Sequence, residues 1–68
     1  MAYAYTVSEV DPVTGTDFVI GIFTSLEAAE TARKEVAARF AANPLAVGAI
    51  ARGVYHSVTA YQMGKLYY

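Results

Sequence analysis

The chain has no cysteine, no tryptophan and a single histidine. Without cysteine there are no disulfides and no thiolate metal sites. One imidazole is too few for a histidine-based zinc site within one chain, which needs three or four ligands. No apolar run approaches the roughly 18 residues of a membrane-spanning helix. The first residues show neither the basic nor the apolar region of a secretory signal. The expectation is a cytoplasmic protein with no membrane association, to which the absent cysteines are suited. The net charge of −1 gives no general attraction to nucleic acid. Gly-rich phosphate loops, acids paired at active-site spacing and cofactor motifs are also missing. The expectation is therefore no enzyme, no cofactor and no catalytic residue.

What remains is small and apolar. Sixty-eight residues form one domain, of which 56% are hydrophobic. A chain of this size withdraws only roughly 60% of its unfolded surface on folding, so a single core is marginal. Small scaffolds often add a disulfide, a metal or a second subunit. With the first two excluded or disfavoured by composition, oligomerisation or partner binding is left. Charge is unevenly placed. Glu9, Asp11, Asp17, Glu27 and Glu30 precede every base, whereas Arg33, Lys34, Arg39, Arg52 and Lys65 follow with Glu35 as the one later acid. Helix-dipole preference accounts for much of this, with acids in the first turns of a helix and a base in its last.

Residues 2–9 alternate with period two, Tyr3, Tyr5 and Val7 against Ala4, Thr6 and Ser8, as a strand does. Asp11-Pro12-Val13-Thr14-Gly15-Thr16 combines a proline early with a glycine late and reads as a hairpin loop. The second strand, 17–23, is apolar on both faces. Thr24 is the expected helix N-cap, with Glu27 three residues on completing a capping box and Phe23 beside Ala28 as a staple. Leu26, Ala29, Ala32, Val36 and Phe40 then form one apolar stripe at helical spacing. Glu30–Lys34 and Glu35–Arg39 have favourable i,i+4 spacing. The helix, 25–42, would span roughly 27 Å, and Asn43-Pro44 ends it. Residues 45–52 fit either a short helix capped by Asn43 with Pro44 at its first position or a loop. A third strand runs from about Gly53 to Met63. Gly64-Lys65 could then turn the chain into a short fourth strand at 66–68.

The expected fold class is α+β: a small antiparallel sheet in the order β-β-α-β, with one long helix packed on one face. Pairing Val7 with Ile20 would place Tyr3, Tyr5, Val7, Phe18, Ile20 and Ile22 beneath the helix, joined by Val54 and Val58. The opposite face would hold Ala4, Thr6, Ser8 and Gly21 together with the candidate partner-binding residues Val19, Phe23, Tyr55, Ser57, Thr59 and Tyr61. A slip of one residue would break this partition. Tyr, Ser and Thr together make a rigid yet adaptable contact surface.

Three other features invite chemistry. Asp11 and Asp17 with Thr14 and Thr16 are oxygen ligands of the kind a hard cation takes, but they lack the alternating acids and terminal Glu of a calcium loop. The run is similar to the Asp-Lys-Thr-Gly-Thr of phosphoryl-transfer ATPases, but it lacks the lysine and its spacing is off by one. Turn chemistry alone accounts for it, and no metal site is expected. His56 has Ser57 next to it, but neighbours on a strand face opposite ways, which points to a structural or partner-facing histidine. Aromatics on a sheet also stack bases in some RNA-binding domains, yet the strand regions supply only Arg52 and Lys65 as flanking bases.

In size, alanine-rich composition and lack of catalytic motifs, the chain resembles small phage-encoded inhibitors such as anti-CRISPR and other anti-defence proteins. That resemblance is one of kind. It implies a viral protein that occludes the working surface of a host protein. The leading expectation is a non-enzymatic protein-interaction module that binds a protein partner or itself as a homo-oligomer. A small-ligand or nucleotide-sequestering protein, its Tyr/Ser/Thr-lined site lying between subunits, is the alternative. A single-stranded nucleic-acid binder is the weaker one.

Overall fold

The computed structural model describes residues 2–66. Strand β1 (Tyr3–Asp11) and strand β2 (Thr16–Phe23) form a hairpin, followed by helix α1 (Leu26–Ala42). A 3-10 turn at Pro44–Ala46 leads into the short helix α2 (Val47–Ala51), and strand β3 (Tyr55–Gln62) returns to the sheet. The three strands are antiparallel in the order β2-β1-β3. This is the expected α+β architecture, with α1 packed on one face of the sheet. Of the proposed fourth strand, Leu66 lies outside any element and Tyr67 and Tyr68 fall outside the described residues.

Local chemistry sets each junction. The Asp11 carboxylate accepts from the amides of Val13 (3.0 Å) and Thr14 (3.4 Å), and the Gly15 amide donates to the Asp11 carbonyl at 2.9 Å. Gly15 closes the turn at φ +73°, a conformation in which a Cβ is strained. The N-cap of α1 is Ser25 rather than Thr24: its hydroxyl accepts from the Ala28 amide at 3.1 Å. Two adjacent hydroxyl residues compete for that role, and the helix begins one residue later than expected. Glu27 is then in the first turn but one place short of a capping box. Asn43 does both its jobs: its own amide donates to the Phe40 carbonyl to close α1, and its side chain accepts from the Leu45 amide at 2.9 Å to open the 3-10 turn. The segment 45–52 is therefore helical. On the outer side of α1, Glu30 pairs with Arg33 at 3.2 Å, three residues on, where the expectation was Lys34.

Register decides the faces. Val7 is opposite Gly21, and Ser8 is opposite Val19, so Ile20 is an extra residue with no partner on β1. This bulge overturns the expected Val7–Ile20 pairing and swaps the sides of three residues. Phe23, opposite Tyr5, lies on the helix side, and Ile22, opposite Thr6, lies on the far side. Gly21 also moves to the helix side, where the Phe23 ring lies over it; a Cβ on Gly21 would come within 2.9 Å of that ring. Val58 pairs with Val7 as expected, whereas Val54 precedes β3.

The core is slight. Val7, 1% exposed, is the largest fully buried side chain among the described residues, and Ala29 and Ala46 complete the buried apolar set. Leu26, at the head of the expected stripe, is exposed, and Ile20, expected inside, is 47% exposed. The chain forms a plate of 41 × 26 × 12 Å. Its radius of gyration is 13.2 Å, against about 11 Å for a compact chain of this length. Its accessible surface is 4933 Å², against about 4,200 Å² for an ordinary monomer of this mass.

Candidate functional site

The far face of the sheet is built from three short rows. Val19, Ser8 and Ser57 stand side by side across β2, β1 and β3, and Ile22, Thr6 and Thr59 form the next row. Tyr55 and Tyr61 stand at the two ends of β3, opposite Val10 and Ala4. Val19, Ile22, Tyr55 and Tyr61 are all substantially exposed, whereas Thr6 and Ser8, on the central strand, are buried. The Thr6 hydroxyl donates to the Thr59 carbonyl at 3.5 Å. Asp17, opposite Val10 at one corner, is the charged residue of this face. The result is an apolar border with a hydroxyl-lined dip beside it. Five of the six residues expected to bind a partner share this surface: Val19, Tyr55, Ser57, Thr59 and Tyr61. Phe23 does not, because of the bulge. Ile22 takes its place, and the signal for it was Gly21, since an isolated glycine inside a strand often marks a bulge.

Phe23 instead walls a groove on the helix side. Ala28, Thr31 and Ala32 of α1 form its other wall, Glu27 and Glu35 edge it, and it encloses about 430 Å³. It is broad and open, so a small molecule there would keep much of its surface in water, unlike the 70–90% burial of ordinary ligand sites.

His56 is sealed rather than presented. Its side chain is 3% exposed, its Nε2 is 3.2 Å from Glu9 Oε1, and its ring meets that of Phe40 edge-on at 5.1 Å. Ser57, on the opposite face, is out of reach as a nucleophile. The hairpin loop is likewise occupied with structure. Besides the two amides, Asp11 Oδ2 accepts from Arg52 Nε at 3.2 Å, with Nη2 at the same distance. Desolvation pushes the Asp11 carboxyl upward, but the Val13 and Thr14 amides and the Arg52 charge outweigh it and hold the group below its ordinary value. Asp17 is not drawn into this cluster, and no group of three His, Asp or Glu able to hold a metal occurs among the described residues. Nor is any described helix long and apolar enough to cross a membrane.

No protein family, curated protein or solved structure matches this chain.

Proposed function

We propose that this chain is a non-enzymatic protein-interaction module whose working surface is the far face of its sheet. One observation carries the reading. Val7 is the largest fully buried side chain among the described residues, while Val19, Ile22, Tyr55 and Tyr61 stand exposed together on one face. Exposed apolar side chains grouped on one face around a polar dip are what an interaction surface offers a partner. The aromatic and hydroxyl mixture supplies large, rigid contact area with adaptable hydrogen bonding at its rim. The small charge content means that a partner is held by shape and desolvation rather than by ion pairing. Such a module works by occlusion, covering a surface that another molecule needs, as expected of a small inhibitor.

The test is a photo-crosslinking amino acid placed at Tyr55 or, as a control, at Phe18 on the opposite face. Irradiation in the producing cell should yield a discrete protein adduct from position 55 and none from position 18. Adducts from position 18 alone would refute the assignment of the surface.

A further inference from the structure

The far face has the form of its own complement, and we infer that its occupant is a second copy of this chain, stacked sheet against sheet about a two-fold axis parallel to β1. This rests on the interaction reading above and names the partner.

In the two middle rows of the face, bulk is on β2 and smallness is on β3: Val19 is level with Ser57, and Ile22 is level with Thr59, while Tyr55 and Tyr61 stand beyond these rows at the ends of β3. A two-fold axis along β1 inverts left and right but keeps the level along the strands. It therefore sets β2 of one copy over β3 of the other. Val19 then lies above Ser57 and Ile22 above Thr59, twice over, with Tyr55 and Tyr61 closing the ends of each row. An axis across the strands would instead set β2 over β2 and oppose bulk to bulk. Aligned sheets pack about 10 Å apart and roughly 30° from parallel, which a tilt of each β1 by about 15° from the axis supplies without changing which rows meet.

Size and shape agree. Over its whole surface the chain exposes roughly 700–800 Å² more than an ordinary monomer of its mass, of the order of the roughly 800 Å² that each partner contributes to a standard interface. Stacking two plates whose thinnest dimension is 12 Å would give a body about 34 Å through with the sheets 10 Å apart, no longer thin against the other dimensions. Joining them edge to edge would leave both faces as bare as before. Of the two edges, that of β2 is also guarded, because the Ile20 bulge interrupts the regular run of backbone groups that a neighbouring strand would need. Charge offers no obstacle. The face carries Asp17 at a corner and no charge at its centre, so two copies meet without opposed like charges.

The experiment is light scattering with sedimentation velocity on the full chain at micromolar to hundred-micromolar concentration. The wild type should run at twice its 7.3 kDa. Ile22→Asp, at a far-face position 71% exposed, should fold normally by circular dichroism. It should raise the dimer dissociation constant ~100-fold or more, since two unpaired carboxylates would be buried per dimer. Phe18→Asp, at a position 69% exposed on the helix side, should leave the dimer intact. Should Ile22→Asp unfold, Thr59→Arg serves the same purpose from β3. A monomeric wild type, a dimer indifferent to the far-face variants, or equal loss from Phe18→Asp would each overturn the inference. A monomer that still crosslinks through position 55 to a different protein would remove the second copy while leaving the interaction reading in place.

Discussion

Truncating Val7 to alanine should damage this fold out of proportion to the two methyl groups removed. Val7 is 1% exposed at the centre of the middle strand. Loss of transfer free energy comes to about 1.6 kcal/mol at roughly 0.8 kcal/mol per buried carbon. A residual cavity of up to roughly 50 Å³ adds about 1 kcal/mol at 24 cal/mol per Å³. The sum, about 2.5 kcal/mol, is a large share of the roughly 3–10 kcal/mol expected for a domain of this length. It corresponds to a fall in melting temperature of about 10–20 °C. Ile20→Ala is the informative comparison. It removes three carbons rather than two, but from a side chain already 47% exposed on the bulge. With about half the transfer term and no closed cavity, it should cost only about 1 kcal/mol. Urea melts of the two variants side by side measure both. An Ile20→Ala cost equal to or above that of Val7→Ala would refute the reasoning. It would put Ile20 inside, where an unbulged register would have placed it.

Three further outcomes are expected. Ser25→Ala should cost about 1 kcal/mol through loss of the cap on the Ala28 amide, and Thr24→Ala much less; thermal melts of both would show which hydroxyl caps α1. Asp11 should shape the acid limb of stability. Its folded carboxyl titrates below the ordinary 3.8, so its contribution is complete above that value and disappears as pH falls through the folded value. The urea midpoint of the wild type should drop there more steeply than that of Asp11→Asn. Tyr61→Ala should weaken association through the far face by about 2 kcal/mol or more, the loss typical of an aromatic interface anchor, with circular dichroism unchanged; normal association by sedimentation would remove it from the contact surface.

Much of this architecture is written locally. Asp11-Pro12 and Gly15 specify the hairpin, Asn43-Pro44 ends one helix and starts the next segment, and the spacing of Ala29, Val36 and Phe40 sets the helix face. These signals act over a few residues and need no tertiary information. The bulge is different. Phe18-Val19-Ile20-Gly21-Ile22-Phe23 is apolar throughout, so no polar residue marks which side of the strand faces water, and an extra residue leaves no trace in the hydrophobic pattern. Only Gly21 hints at it. That single slip exchanges Phe23 for Ile22 on the candidate surface and takes Ile20 out of the core. The thinness of the core is equally hidden, because apolar composition states how much could be buried, not how much is.

The strand order has a consequence for how the chain reaches its folded state. β1 is central, and one neighbour is supplied at once by the tight turn. The other arrives from far along the chain: Glu9 and His56 are separated by 47 residues, Thr6 and Thr59 by 53. Closing a loop of that size costs about 3.5 kcal/mol of chain entropy, comparable to the stability of the whole domain. Until β3 docks, β1 has an open edge and Val7 has no Val58 beside it. The hairpin alone is thus a two-sided apolar ribbon with a free backbone edge, the species most prone to self-template into aggregates. Emerging from a ribosome, the chain spends the synthesis of α1, α2 and β3 in that condition. The step that protects it is the docking of its last strand.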